Sequence, residues 1–305
     1  MVTRWFQFAV FTLSLGVAIV TWAQQPAFPT VEPFSGTLQK IYTTGVIRVG
    51  HRQNSPPFAF LDAQHHPIGY SLDLCEVVVE EMTRYLHKED LKIQYVPVTP
   101  ENRFDLVKNG TIDIECGSTT ASAERRATLG FSPTMFVTGA KLLVKRGSGI
   151  VSLRGLQGKT AVLTKGTVHA ETIPKIAQQQ NVAVQFVFAN DHNESFQTLA
   201  DGKADAFIND DVQLYGMLAM RDAQTDYRVV GDFLTYADYA LMFRHDDAEF
   251  AKVVQQAFER LAGSGEIRAI YRRWFLRPLP SGVSLNLRMS PHLEYVFQLQ
   301  GLAAD

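Results

Sequence analysis

Along most of this chain, short runs of β-favouring residues alternate with segments whose apolar residues recur every three or four positions. GTLQKIYTTG reads as a helix stopped by Gly45, and VIRVG as a strand ending at His51-Arg52. Leu74, Cys75, Val78, Val79, Met82 and Leu86 then share one helix face. KIQYVPV is a strand, ENRFDLVKNG a helix, and TIDIE a strand. The plan then repeats: TAVLT, a helix after Gly166-Thr167, VAVQFVF, the helix ESFQTLADG, and ADAFIN. Alternation of this kind restricts the chain to an α/β fold built from βα units.

The two halves echo each other. In LVKNGTIDIE and LADGKADAFI, Gly110 and Asp113 stand three apart, as do Gly202 and Asp205. Each pair joins a helix end to a strand, which predicts two lobes of related plan. After TDYRVVG come a strand, YALMFR, and two helices, AEFAKVVQQAFERLAG and GEIRAIYRRWF, divided at Ser264-Gly265. The last 25 or so residues read as an irregular extension packed on one lobe.

The opening residues, MVTRWFQFAVFTLSLGVAIVTWAQQ, combine one basic residue with an apolar run and a small-x-small ending at Ala23. This pattern predicts a secretory signal peptide, residues 1–23, cleaved after Ala23; an uncleaved membrane anchor is the competing reading. Of 305 residues, 282 remain after that point, enough for about two domains of ~150 residues. Arg4 is the only charged residue removed, so 28 basic residues face 31 acidic ones, a net charge of −3. No basic footprint for nucleic acid exists, and any anion must be bound by a few placed cations. The two cysteines, Cys75 and Cys116, match no zinc spacing. Export would permit a disulfide between them, and two buried free thiols would satisfy the sequence equally.

In open α/β sheets, ligands bind beyond the carboxyl ends of the strands. Reading those positions gives Arg52, then Ser118 and Thr120 with Arg125 five residues on, Thr167, His192 and Asp210; Arg103 opens a helix in the first half. A guanidinium fork receives a carboxylate through two parallel hydrogen bonds, and hydroxyls and free N–H groups at a helix start add donors. A carboxylate opposite them accepts from an ammonium. The set suits an α-amino acid, and Arg52, Arg103 and His192 are donors to spare for a second carboxylate. Each residue has a plainer use. Arg125 could pair with Glu124, Asp210 or Asp211 could cap the helix VQLYGML, His192 could be a loop residue, and Arg52 or Arg103 could be surface charge. RGLQGKT is no phosphate loop, because Leu153 stands where the first glycine belongs and a strand follows the stretch. No nucleophile elbow, metal cluster or cofactor motif is present.

At these residues the chain resembles the periplasmic amino-acid-binding proteins of ABC importers, most closely the glutamate/aspartate-binding proteins. The resemblance runs from about Gly36 to Pro280 and is carried by GVIRVGHR, FDLVKNGTIDIECGSTTASAER, DHNESFQTL and GEIRAIYRRWF. It implies a two-lobed periplasmic-binding-protein fold of type II, the lobes joined by two crossover strands near Val137–Lys141 and Tyr236–Ala240. Lobe 1 would then comprise 24–140 and 237–305, and lobe 2 residues 141–236. Arg125 matches the arginine that clamps the α-carboxylate, aided by Ser118 and Thr120, and Asp210 matches the holder of the α-ammonium. Arg52, Arg103 and His192 match the positions that receive an acidic side chain. A membrane permease is the implied partner, and no cofactor is implied.

Three departures bear on ligand choice. Pro100 replaces a pocket serine, Val168 replaces a hydroxyl residue after Gly166-Thr167, and Pro174 falls inside an expected helix, where proline costs ~3 kcal/mol unless the helix kinks or starts late. Two rival functions accompany the resemblance. The same fold resembles that of periplasmic dehydratases of prephenate-like acids, for which Glu115 or Glu101 would be the general acid. A ligand-sensing module would carry an identical clamp.

Overall fold

The structure, a computed structural model, describes Met1, Val2 and residues 34–303. The predicted leader from residue 3 onward, with its cleavage point after Ala23, lies outside the described residues. Helix α1 (Gly36–Thr44) leads into β1 (Val46–His51), and β2 (Asn54–Ser55), β3 (Ala59–Leu61) and β4 (Pro67–Ile68) make a small antiparallel sheet. Next come α2 (Tyr70–Leu86), β5 (Lys92–Pro97), α3 (Arg103–Lys108), β6 (Ile114–Glu115), α4 (Ala123–Arg126), β7 (Leu129–Phe131) and the long β8 (Phe136–Lys145). The second βα series is β9 (Lys159–Thr164), α5 (Val168–Gln179), β10 (Val184–Ala189), α6 (His192–Ala200), β11 (Ala206–Asp210), α7 (Asp211–Arg221) and β12 (Tyr227–Val230). Then follow β13 (Tyr236–Tyr239), β14 (Met242–Arg244), α8 (Ala248–Gly263), α9 (Glu266–Phe275) and α10 (Pro291–Leu299).

Two mixed sheets result, ordered β5-β1-β6-β14-β7 and β10-β9-β11-β8-β12. In both, the first three strands of the series are parallel with the earliest in the middle, and an antiparallel strand joins beside the third. The sequence echo has a structural counterpart here. Gly110 and Gly202 both take φ +73°, the left-handed conformation that glycine adopts without Cβ strain. Three residues on, Asp113 accepts from the backbone N–H of Arg48 in β1, and Asp205 accepts from that of Thr160 in β9. Each aspartate thus pins the first strand of its own sheet.

Helices cover both faces of each sheet. Around the first, Ile47, Val49, Leu74, Val78, Met82, Phe250, Val254 and Phe258 are buried on one side, and Val98, Val107, Ile112 and Met242 on the other. The second is flanked by clusters that include Leu142, Leu163 and Ile208 on one side and Leu143, Phe207 and Met217 on the other. A disulfide joins Cys75 in α2 to Cys116 just after β6, both buried. The chain passes between the sheets twice, into β8 and back through β13. These two strands pair antiparallel, Tyr236 opposite Gly139 and Tyr239 opposite Phe136.

Three sequence expectations need correction, and one small sheet adds to them. YALMFR is not one strand: β13 ends at Tyr239 and β14 begins at Met242, because the chain leaves the crossover ladder for the first sheet. TIDIE contributes only Ile114 and Glu115 to the ladder. The C-terminal extension contains α10, started by Ser290, whose side chain accepts from Leu293 N–H, and by Pro291 at the first helical position. Leu293, Phe297 and Leu302 bury against the first lobe. The small β2–β3–β4 sheet is absent from the sequence reading, its strands being two or three residues long. No helix among the described residues is long and apolar enough to cross a membrane.

Candidate functional site

The eight residues expected to bind ligand line one narrow cavity between the two sheets, and Val168, His169, Asn209, Gln213 and Tyr239 complete its wall. Strand ends put them there. Arg52 follows β1, Ser118 and Thr120 follow β6, His192 starts the helix after β10, and Asp210 ends β11. Arg103 is the first residue of α3, and Arg125 lies in α4, whose N-cap Ser122 accepts from the Arg125 backbone N–H.

Three guanidiniums crowd the first-lobe side. Arg52 is 1% exposed and Arg103 2%, yet Nη2 of Arg52 and Nε of Arg103 have no partner in the protein. No ion pair among the described residues involves Arg52, Arg103 or Arg125, so the pairing of Arg125 with Glu124 does not form. Arg125 instead donates to the carbonyls of Thr120 (3.1 Å) and Gly166 (3.3 Å), with its guanidinium 4.6 Å from the Phe104 ring centroid. Arg103 reaches the same Gly166 carbonyl at 3.4 Å. Burial, followed by repulsion from Arg103, pushes both Arg52 and Arg125 down to about 9. Burial lowers Arg103 as well. All three remain cations near neutral pH, their mutual repulsion partly offset by the buried Glu115 carboxylate behind them. The buried Ser118 hydroxyl likewise lacks a partner.

Opposite them stands Asp210. It occupies the N-cap of α7, but its side chain makes no capping bond. Oδ2 accepts from the Tyr239 hydroxyl and from His169 Nε2, the latter at 3.0 Å, while Oδ1 is buried without a partner. Asp211, the other capping candidate, is already inside the helix and accepts from Val212 N–H and the Thr138 hydroxyl. Burial of Tyr239, reinforced by Asp210, raises its phenol well above the usual range, so it stays a donor.

His192 is no loop residue. It begins α6, capped by Asp191, and is 2% exposed, with Nδ1 3.0 Å from the Thr164 hydroxyl. Burial first, then the charges of Arg52 and Arg103, hold its imidazole well below the ordinary range, and so uncharged. Thr167 caps α5 by accepting from Ala170 N–H and spends its hydroxyl proton on the Thr164 carbonyl, which leaves its hydroxyl an acceptor. Pro174 does not delay α5, which starts at Val168.

His169 and Tyr239 were not foreseen. Tyr239 ends the crossover strand, opposite Phe136 and bridged to Thr120, and its hydroxyl reaches Asp210. His169 follows the Gly-Thr signal by two residues, and that helix start was the available clue. Glu115 and Glu101, the general acids of the enzymatic alternative, do not line the cavity. Glu115 is fully buried and accepts from Thr119 at 2.6 Å, and Glu101 is exposed. A larger cavity, about 520 Å³, lies between the crossover strands and the C-terminal segment. Its lining is mostly apolar, with Phe136, Phe233, Tyr236, Tyr271 and Leu293, and also includes Asp211, Asp238, Arg288 and His292. Among the described residues no cluster of His, Cys, Asp and Glu could hold a metal.

Residues 47–277 match the model of the bacterial extracellular solute-binding proteins, family 3. The chain is 40% identical over 282 residues to the L-glutamate/L-aspartate-binding protein of Pseudomonas aeruginosa, covering 92% of this chain and 93% of that one. It is 37% identical over 263 residues to a glutamate/aspartate import solute-binding protein of Salmonella typhimurium, covering 86% and 87%. Among solved structures, an ancestral arginine-binding protein bound to arginine superposes with a TM-score of 0.68 at 24% identity, covering 76% of this chain and 98% of that one. The shared architecture is the two-lobed α/β fold of periplasmic binding proteins.

Proposed function

Because this chain belongs to the bacterial extracellular solute-binding proteins of family 3, we propose that it captures glutamate or aspartate between its lobes and delivers it to the permease of an ABC importer. The observation that carries this reading is a single arrangement. Two buried guanidiniums, Arg52 and Arg103, each with an unpartnered nitrogen, and the half-buried Arg125, none of them in an ion pair, face an aspartate whose inner oxygen is also free. A zwitterion with a second carboxylate complements it. Arg125, with Ser118 and Thr120, takes the α-carboxylate, Asp210 takes the α-ammonium, and Arg52, Arg103 and His192 take the distal carboxylate. The names of the Pseudomonas and Salmonella relatives support the ligand class.

The mechanism is capture by closure. Lobe 1 (34–140 and 237–303) and lobe 2 (141–236) hinge at the crossover strands, and closing strips water from the charge pairs, which strengthens them. Capture of this kind needs no covalent step, and Glu115 and Glu101 lie outside the cavity lining. A cleaved leader ending at Ala23 would place the protein in the periplasm. A thermal-shift screen of the common amino acids on refolded, ligand-free protein tests the reading. Glutamate and aspartate should raise Tm by several degrees, and neutral or basic amino acids by far less. A larger shift with arginine or leucine would refute the assignment.

A further inference from the structure

Behind His192 lies a buried chain of hydrogen bonds whose direction is fixed by its far end. Ser195 Oγ is 2.9 Å from the carbonyl of Asp191, Thr164 Oγ1 is 2.7 Å from Ser195 Oγ, and His192 Nδ1 is 3.0 Å from Thr164 Oγ1. Thr164 and Ser195 are 1% and 0% exposed, so solvent offers neither another partner. A carbonyl only accepts, and each hydroxyl has one proton to give. Ser195 must therefore donate to Asp191, Thr164 to Ser195, and His192 to Thr164. That last donation requires the proton on Nδ1. In the uncharged ring, Nε2 then carries a lone pair, which repels a carboxylate instead of binding it.

We propose that His192 takes up one proton when the protein captures an acidic amino acid, the Thr164–Ser195 relay holding Nδ1–H while the new Nε2–H donates to the distal carboxylate of the guest. This rests on the capture reading above. The proton comes from solvent, and one N–H bond forms as imidazole becomes imidazolium; nothing else is made or broken. An amide guest such as glutamine needs no such proton, because its NH2 donates to the Nε2 lone pair directly. The relay thus makes the choice between acid and amide depend on pH. The groups around the ring fit this. Arg52 and Arg103 face it from the first lobe, His169 and Asp210 from the second, with the Phe207 ring 6.2 Å away. The two arginines keep the ring uncharged beforehand, and a distal carboxylate offsets their charge on arrival.

The test is calorimetric titration of ligand-free protein at pH 7 in phosphate and in Tris, whose ionisation enthalpies differ widely. The expected difference in heat for glutamate corresponds to uptake of between half a proton and one, and for glutamine to none. In Ser195→Ala, Thr164 is released to donate to His192 Nδ1. A neutral Nε2–H then becomes available, and glutamate should bind without the buffer-dependent heat. Glutamate heats that are equal in the two buffers, or glutamine uptake matching that of glutamate, overturn the proposal. An unaltered uptake in Ser195→Ala removes the relay from it. The native protein decides the main point even if that variant does not fold. Absence of any glutamate binding would overturn the capture reading instead.

Discussion

Asp210 stands where an aspartate ordinarily caps a helix, a contribution of about 1 kcal/mol, and leaves that bond unmade. Its carboxylate is held toward the cleft by Tyr239 and His169, so the local stability forgone is spent on orienting one charge. Asp210→Asn keeps the shape and removes that charge. Affinity for glutamate measured by calorimetry should fall by about 2–5 kcal/mol, roughly 30-fold to several thousand-fold. An unaltered affinity would remove Asp210 from the ammonium site. His192 gives a second prediction at this scale. Its folded pKa lies well below the unfolded value near 6.5, so between the two the unfolded chain binds a proton that the folded chain refuses. Its contribution to stability is complete above about pH 6.5 and is lost as pH falls below it. The unliganded protein should therefore lose more Tm between pH 7 and pH 5 than the His192→Gln variant does. Parallel losses in the two proteins would contradict the buried, uncharged ring.

At the scale of elements, the long amphipathic segments were legible and the short ones were not. Helices α2, α8 and α9 follow directly from their apolar spacing, and α8 coincides with AEFAKVVQQAFERLAG from end to end. Strand exits can be located from strand signals, which is why the eight candidate residues, chosen at or near those exits, line one cavity. What local pattern could not reveal depends on partners distant in sequence. Tyr239 enters the site through a crossover pairing with β8, roughly 100 residues earlier, and β2 to β4 are too short to show a period. The missed helix α10 is different, since its Ser290-Pro291 start was present to be read. Its role is to bury Phe297, which is fully enclosed, while Gln300 donates to the Thr134 carbonyl just ahead of the crossover. Phe297→Ala should cost about 3–5 kcal/mol in denaturant unfolding. A loss below 1 kcal/mol would show that α10 is not part of the first-lobe core.

For the whole molecule, function turns on how closely the lobes meet. Gly166, at φ +67°, presents its carbonyl to Arg103 and Arg125, and a Cβ added there would lie 2.5 Å from the carbonyl oxygen of Pro100. The unusual Pro100 is thus part of the closed contact. Gly166→Ala should leave the lobes folded but hold them apart, weakening glutamate binding at least tenfold, about 1.4 kcal/mol, while the Tm of unliganded protein stays within a few degrees. Equal affinity would mean that closure does not require this contact. The central claim is that the cleft reads three charges at once, two carboxylates and an ammonium. Calorimetric titration of one ligand-free preparation with glutamate, glutamine and glutarate isolates each of them. The account predicts 1:1 binding of glutamate, with glutarate, which has no ammonium, and glutamine, which has no second carboxylate, each at least about 30-fold weaker at pH 7. Glutarate or glutamine binding as tightly as glutamate would contradict it.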